Sequence, residues 1–249
     1  MEKGKTHINL GKWTQDILDD IIRTSAGIKE TGERVNFLSK LFLGVDYAEA
    51  TLIGDARAPE VFVINLAGVD CFTFIDYVEA MRRSGTFNEF EKNLKKVRYR
   101  NGEIAFENRN HFFTDWREYN PAFIEDVTEK IGAQKTRRTI KSLNLKEDGT
   151  FFLQGIQPRQ REVSYIPSET IDDSVLCSMH TGDYAGIYSA LPGMDVSHAG
   201  IVINDRGTIY LRHASSGMKY RKVVDQDLRN YMYDKTGLII FRPRDDQRE

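Results

Sequence analysis

The sequence has few cysteines, almost no net charge and no long hydrophobic run. Only Cys71 and Cys177 occur among its 249 residues, which excludes a disulfide framework, a CxxC redox motif and a cysteine-rich zinc site. The 35 basic and 37 acidic side chains leave a formal net charge of −2, whereas nucleic-acid-binding proteins normally carry a basic excess. No segment approaches the ~18–20 consecutive apolar residues that span a bilayer. We therefore expect neither a nucleic-acid partner nor a membrane span.

The N-terminus lacks the apolar segment that follows the charged residues of a secretion signal. A cytoplasmic protein would begin in this way, and so would a secreted protein whose signal had been removed. The remaining composition, with 40% hydrophobic and 29% charged residues, is that of a folded globular protein. At about 100–200 residues per domain, the length allows one large domain or a core with a substantial insertion.

Apolar residues at three- and four-residue spacing in the first third of the chain predict amphipathic helices. These helices cover residues 13–25, 35–42, 71–82 and 87–97. Asp70 precedes the third helix as a candidate N-cap, which places Cys71 in the first helical turn. Residues 1–34 are interpreted as an N-terminal helical extension.

The last third of the chain changes to strand patterns. Two strands joined by a tight Asp-Arg-Gly turn are predicted, then a short helix and a strand, over residues 199–204, 208–213, 225–232 and 237–241. Helices first and strands later indicate an α+β domain. Residues 87–165 fit neither pattern cleanly and are interpreted as an inserted elaboration that shapes a substrate cleft.

Cys71 is the first residue that could carry chemistry. At a helix N-terminus, a thiol meets the positive end of the helix dipole, which favours the thiolate. The unpaired backbone N–H groups there can also receive the oxyanion that forms when a thiolate attacks an amide carbonyl. The alternative is a buried cysteine that acts only as a small hydrophobic residue.

Two histidines supply the other groups that a cysteine nucleophile needs. His198 begins one predicted strand and His213 ends the next, so antiparallel pairing could bring both to the same end of a sheet. A catalytic cysteine requires a base that takes its proton and a third polar group that fixes the tautomer of that base. Each histidine alone could equally be a core or surface residue. Together with Cys71 they supply all three roles.

Short segments within residues 35–242 resemble the ordered motifs of a known family. In chain order they are Phe42–Tyr47 with Thr51-Leu52, Asn65–Phe74, His111–Trp116, Tyr165–Pro167, Gly182-Asp183, Met194–Ile201 and His213–Ser215. Their number and order resemble the N-acetylmuramoyl-L-alanine amidase-like family of the NlpC-type cell-wall cysteine hydrolases, which are papain-like. The resemblance implies a single catalytic domain over 1–249, with a papain-like core in which the nucleophile helix packs on an antiparallel sheet.

The resemblance also implies roles for particular residues. It implies Cys71 as nucleophile, His198 as general base and His213 as the residue that orients the base. Tyr47 matches a tyrosine that lies beside the nucleophile and helps to bind the substrate or its oxyanion. Asp70 matches an aspartate that binds the substrate's peptide, with capping of the helix as the alternative.

Other residues have weaker assignments. Asp115 and Trp116 lie in a segment peculiar to the family and are predicted to bind substrate, although Trp116 could instead fill the core. Arg109 and His111 are weaker candidates for contact with an acidic muropeptide. Asp183 is predicted to position a strand and Cys177 to be a bystander, so we expect no disulfide between the two cysteines.

The function that the resemblance implies is hydrolysis of the bond between N-acetylmuramic acid and L-alanine in muropeptides, 1,6-anhydro forms among them. An endopeptidase that cleaves between γ-D-glutamate and diaminopimelate with the same residues is the nearest alternative. A zinc amidase with His198, His213 and Cys71 or Asp183 as ligands, and a non-catalytic peptidoglycan-binding module, are the others. No metal or cofactor is expected, and the oligomeric state stays open. A peptidoglycan substrate indicates the bacterial periplasm or cell envelope, with the cytoplasm as the alternative.

Overall fold

The computed structural model describes residues 6–245, which divide into two units. Within these residues, the first unit runs to Asn110 and also contains His213–Val224 and Asp245. The second unit contains His111–Arg212 and Asp225–Arg244. Each unit therefore combines segments that lie far apart in the sequence.

The first unit contains the four predicted helices and short pairs of strands. Its elements are β1 (Thr6–Asn9), α1 (Gln15–Ala26), α2 (Thr31–Lys40), β2 (Asp46–Tyr47), β3 (Phe62–Asn65), β4 (Gly68–Val69), α3 (Cys71–Arg82) and α4 (Phe87–Arg98). β1 pairs with β3 and β2 pairs with β4, both in parallel. The helices of the sequence analysis are confirmed, whereas β1 has no counterpart in that analysis.

Helix α3 lies in the core of the first unit. Residues 73–82 are all buried, and the helix packs against α1, α2 and α4. The rings of Phe42 and Phe74 meet edge to face, with centroids 5.5 Å apart. The charge of Asp76 is compensated because Arg98 Nε donates to its Oδ2 at 2.8 Å. These contacts hold the helix, and hence its N-terminus, in one position.

The second unit is built on a large sheet. Its elements are α5 (Phe113–Glu118), β5 (Ile124–Asp126), α6 (Thr128–Gly132), β6 (Arg137–Leu143), β7 (Arg159–Pro167), α7 (Asp173–Cys177), β8 (Tyr184–Tyr188), β9 (Val196–Asp205), β10 (Thr208–Ala214), β11 (Val223–Asp227), α8 (Leu228–Met232) and β12 (Gly237–Pro243). The last residues of β10 and the first residues of β11 belong to the first unit. The strand order is β11-β10-β9-β8-β12-β7-β6, with β5 also paired to β12. The pairs from β10 through to β6 are antiparallel. The predicted α+β class and antiparallel sheet are confirmed.

The hairpin of β9 and β10 has the predicted tight turn. Thr208 pairs with Asp205, so the turn consists of Arg206 and Gly207, with φ angles of +52° and +92°. Positive φ at both central residues is typical of the type I′ turn, whose twist matches that of the flanking strands.

Two features of the C-terminal third differ from the prediction. The predicted helix over 225–232 is wrong in its first half, because residues up to Asp227 form β11 and only Leu228–Met232 are helical. Asp225 is drawn into the sheet by Arg212 of β10, whose Nε donates to it at 2.8 Å. The strand that begins at Gly237 is last in the sequence yet central in the sheet, between β8 and β7.

Residues 87–165 do not form a separate body. α4 belongs to the first unit, while β6 and β7 extend the sheet of the second. None of the helices within residues 6–245 combines the length and the apolar character that crossing a membrane requires.

Candidate active site

Cys71 occupies the first helical position of α3, and Asp70 is the N-cap. Asp70 Oδ1 accepts hydrogen bonds from the backbone N–H groups of Phe72 at 3.0 Å and Thr73 at 2.7 Å. Thr73 Oγ1 in turn accepts from the backbone N–H of Asp70 at 3.0 Å, which completes a capping box. The predicted cap is therefore confirmed, and the half-buried thiol of Cys71 lies at the positive end of the helix dipole.

The cap of α3 uses only one of the two carboxylate oxygens of Asp70. Its Oδ1 also accepts from Thr73 Oγ1 at 2.8 Å, whereas no donor within residues 6–245 is hydrogen-bonded to Oδ2. Asp70 itself is only partly buried. The same side chain can thus cap the helix with one oxygen and present the other to a ligand.

Removing the cap is expected to weaken the first unit. The Asp70→Ala variant is expected to lose about 1–2 kcal/mol in free energy of unfolding, because two N-terminal N–H groups of α3 lose their acceptor. Asp70→Asn keeps an amide oxygen at the same place and is expected to stay within about 0.5 kcal/mol of the wild type. Urea unfolding of the three proteins measures the difference. Equal stability of the Ala and Asn variants would show that the cap contributes nothing.

Tyr47 lies beside the start of α3. It pairs with Val69 across the β2–β4 pair, and the next residue along, Ala48, donates its N–H to the Val69 carbonyl at 3.0 Å. Burial raises the pKa of Tyr47 above its usual value of 10.0, and the charges of Cys71 and Asp70 raise it further. The phenol is therefore a neutral hydrogen-bond donor over the whole physiological pH range, close to the thiol.

Arg221 flanks Tyr47, and the sequence analysis did not identify it. The backbone N–H of Tyr47 donates to the Arg221 carbonyl at 2.9 Å, and the guanidinium lies 5.1 Å from the centre of the Tyr47 ring. Its charge lowers the pKa of Tyr47, against the other causes. Arg221 also has a φ of +50°, which is uncommon for a residue other than glycine. The only signal in the sequence is the basic run Lys-Tyr-Arg-Lys that follows His213 closely.

Arg221→Gln is expected to raise the pKa of Tyr47 further, because it removes the one charge that favours the phenolate. Because the pKa of Tyr47 is higher in the folded protein than in the unfolded chain, the free energy of unfolding falls as the pH rises above about 10. The Arg221→Gln variant is expected to show a larger fall than the wild type over the same pH range. Ultraviolet titration, taken as a difference against Tyr47→Phe in the same background, measures the shift. Lys219→Gln is the matched control, because its ammonium lies over Tyr220 instead. An unchanged Tyr47 titration in Arg221→Gln would contradict the electrostatic role.

His213 is buried in the first unit, with 1% of its surface exposed. A series of backbone hydrogen bonds connects the segment after it to the strand before Asp70. In each bond the N–H of the first residue donates to the carbonyl of the second: Ser215 to Lys222 (3.0 Å), Val223 to Val45 (2.8 Å), Tyr47 to Arg221 (2.9 Å) and Ala48 to Val69 (3.0 Å). The structure thus brings Tyr47, Asp70 and Cys71 together and holds the His213 segment in the same unit.

His198 belongs to the second unit. It pairs with Ile187 across the β8–β9 pair, and its ring centre lies 6.2 Å from that of Tyr231 in α8. Tyr231 packs against the core of this unit.

Asp115 and Trp116 are both fully buried in the second unit. Trp116 packs edge to face on Tyr184, with centroids 5.0 Å apart, so it fills the core, which is one of its two predicted roles. Asp115 Oδ1 accepts from Arg161 at 2.8 Å and from Arg159 at 3.3 Å. Burial raises the pKa of Asp115, and the two arginines lower it. Because neither side chain reaches the surface, the function proposed below does not use them.

The other candidates have structural partners. Arg109 Nε donates to Glu60 at 3.0 Å. Asp183 is buried and accepts from Arg242 Nε at 2.7 Å, which joins the start of β8 to β12. Cys177 is exposed at the end of α7, and neither cysteine forms a disulfide bond. Within residues 6–245, no group of three or more His, Cys, Asp or Glu side chains is arranged to hold a metal ion.

A thiol at the N-terminus of a capped helix is in a position that favours the thiolate. Residues 37–238 match the family described as AmiA-like, N-acetylmuramoyl-L-alanine amidase-like. The chain belongs to this family, since the match covers most of its length. No protein of curated function matches the chain.

Several solved structures are similar to the chain, and two of them are described here. One is an N-acetylmuramoyl-L-alanine amidase from Bacteroides uniformis, with a TM-score of 0.73 and 28% sequence identity over 86% of this chain and 99% of that one. The other is a Legionella pneumophila protein of the DUF1460 family, with a TM-score of 0.77 and 23% identity over 92% of this chain and 94% of that one. At this lower identity the second likeness concerns the fold alone.

Proposed function

We propose that the protein is a cysteine amidase that hydrolyses the bond between the lactyl group of N-acetylmuramic acid and L-alanine in peptidoglycan fragments. Membership of the amidase-like family supports the type of bond. The similar Bacteroides uniformis protein is named an N-acetylmuramoyl-L-alanine amidase, which agrees with it. The observation that carries the proposal is Cys71 at the capped N-terminus of α3, beside Tyr47. The proposed subclass is the NlpC-type papain-like hydrolases, in agreement with a nucleophile helix that precedes the antiparallel strands.

In the proposed reaction, His198 takes the proton of the Cys71 thiol, and the sulfur attacks the lactyl carbonyl carbon. The oxyanion accepts hydrogen bonds from N–H groups at the start of α3 and from the Tyr47 hydroxyl. The C–N bond then breaks, and His198 gives its proton to the departing alanine amine. This leaves a thioester between Cys71 and the sugar acid.

The second half of the reaction restores the enzyme. His198 takes a proton from water, the hydroxide attacks the thioester carbonyl, and the C–S bond breaks. The sugar acid leaves, and the proton returns to Cys71. His213 is proposed to orient His198, and Oδ2 of Asp70 to accept a hydrogen bond from the substrate.

A digest of defined muropeptides, analysed by mass spectrometry, tests the function. We expect a free sugar acid and an intact stem peptide, from both reducing and 1,6-anhydro sugars. Cleavage after γ-D-glutamate would instead show the endopeptidase. Inhibition by a chelator but not by iodoacetamide would show a zinc enzyme, and binding without cleavage would show a binding module.

A peptidoglycan substrate is met in the periplasm or envelope of a bacterium, and we infer this compartment for the protein. Fractionation of the source cells, with detection of the native protein, tests the inference. Recovery with the cytoplasmic fraction would contradict it.

A further inference from the structure

A pocket of about 360 Å³ lies in the second unit, beside β6. Residues 139–142 of that strand line it, together with Leu145 and Lys146, which follow the strand. The rest of the lining comes from Tyr188 at the end of β8 and from the segment after it. Every one of these residues belongs to the second unit, so the pocket can be described within that unit alone. We refer to it as the β6 pocket.

The lining of the β6 pocket carries positive charge. Among the described residues that form it, Lys141 and Lys146 are basic and none is acidic. The Lys146 ammonium lies over the Phe152 ring, 5.0 Å from its centre. No carboxylate within residues 6–245 forms an ion pair with either lysine. Both charges are therefore available to an anion.

Lys141 is unusually buried for a lysine, with 7% of its surface exposed. Its Nζ donates to the backbone carbonyls of Ser189 at 2.5 Å and Leu191 at 2.9 Å. An ammonium has three N–H donors, so one remains for a further acceptor. The two carbonyls carry no net charge and do not neutralise the ammonium. Because a buried charge is costly unless it is paired, an anion in the pocket would complete this site.

Asp195 is the one acidic group whose charge acts on Lys141, and its carboxylate is held by other donors. Its Oδ2 accepts from the backbone N–H of Thr114 at 2.7 Å and from Thr114 Oγ1 at 2.8 Å. Its Oδ1 accepts from the backbone N–H of Val196 at 2.8 Å. Asp195 thus acts on Lys141 from a distance and leaves the third donor of the ammonium unused.

The β6 pocket also offers an apolar surface. Ile140, Leu145 and Pro192 contribute to its lining, and Ile140 is 69% exposed. The Tyr188 ring is held in place because it stacks on Tyr165, with centroids 3.8 Å apart. A simple inorganic ion would leave these groups uncovered, whereas an organic anion uses both the charge and the apolar surface.

We propose that the β6 pocket binds a small organic carboxylate. The carboxylate accepts the third hydrogen bond of Lys141, Lys146 adds a second positive charge, and the apolar body of the ligand covers Leu145, Pro192 and Tyr188. The proposal stands apart from the amidase reaction, since none of these residues takes part in it. Success or failure of the one therefore leaves the other unchanged.

Benzoate and benzamide test the proposal, because they have nearly the same size and shape and differ in charge. Titration calorimetry of the whole protein measures both affinities. We expect benzoate to bind at least about tenfold more tightly, the range of a hydrogen bond to a charged group. Equal affinities would overturn the proposal. Inorganic phosphate is the third probe, and phosphate that binds as tightly as benzoate would show an anion site without an organic ligand.

Two variants assign the binding to the lysines. Lys141→Met is expected to bring the benzoate and benzamide affinities close together. Lys146→Gln changes a less buried side chain and is expected to weaken benzoate about three- to tenfold while the protein stays folded. Lys235→Gln is the matched control and is expected to bind as the wild type does, because Lys235 pairs with Asp234 and lines a different pocket. Benzoate affinity that is unchanged in Lys146→Gln would overturn the proposed lysine pair.

The pH dependence of the wild type is a test that needs no variant. Burial lowers the pKa of Lys141 below its usual value of 10.5, against the charge of Asp195, which raises it. Burial raises the pKa of Tyr188, so this phenol stays neutral in the same range. A bound carboxylate favours the charged ammonium. Benzoate affinity is therefore expected to fall as the pH rises through the pKa of free Lys141, while benzamide affinity stays constant. A constant benzoate affinity up to pH 10.5 would overturn the pairing with Lys141.

Discussion

Replacing Cys71 with alanine is expected to lower kcat/KM for a muropeptide by at least about 10³-fold, since loss of a nucleophile leaves only binding and oxyanion stabilisation. Alanine fits the half-buried first position of α3 without strain, and Asp70 continues to cap the helix. The variant is therefore expected to unfold at nearly the wild-type temperature. Release of the sugar acid, followed by mass spectrometry, measures the activity.

Cys177→Ala is the matched control for this prediction, because Cys177 is exposed at the end of α7. It is expected to keep the wild-type rate. In this control background, iodoacetamide is expected to alkylate Cys71 in parallel with the loss of activity. A Cys71→Ala variant with more than a tenth of the wild-type activity would rule out the thioester mechanism.

Replacing His198 with alanine is expected to have an effect of similar size, about 10³-fold or more in kcat/KM. Without the imidazole, nothing takes the thiol proton or protonates the departing alanine amine. The change is expected mainly in kcat, since the residues proposed to hold the substrate remain. Thermal unfolding of the variant checks that the contact with Tyr231 was not essential for folding.

His180 supplies the control for the second prediction. It is exposed, and its backbone N–H rather than its ring contacts Asp183. His180→Ala is expected to retain wild-type activity. Should His198→Ala remain active while Cys71→Ala does not, a different base serves the cysteine.

Several parts of the site were predictable because they depend on neighbouring residues. The cap of α3 rests on hydrogen bonds between Asp70 and residues two and three positions later, so the position of Cys71 at a helix start could be read locally. The turn at Arg206 and Gly207 is equally local, since it needs only two residues with positive φ between two strands. The family resemblance added the roles of Tyr47 and the histidines as hypotheses.

Other parts depend on residues far apart in the sequence. Arg221 reaches Tyr47 only because two distant backbone segments pair, and the basic run that contains Arg221 does not indicate this pairing. The residues before Asp227 look helical until Arg212 draws Asp225 into the sheet. The residues next to Trp116 in the sequence do not distinguish a tryptophan that stacks on a sugar from one that packs in the core. Its contact with Tyr184 shows that it packs in the core.

One physical reason separates the features that the sequence predicts from those that it does not. Helix starts, caps and two-residue turns are stabilised by hydrogen bonds within a few positions, so their residue types reveal them. The central place of β12 and the parallel pair of β1 with β3 arise from long-range pairing and packing. Such contacts depend on which buried surfaces meet, and that is decided when the whole chain folds.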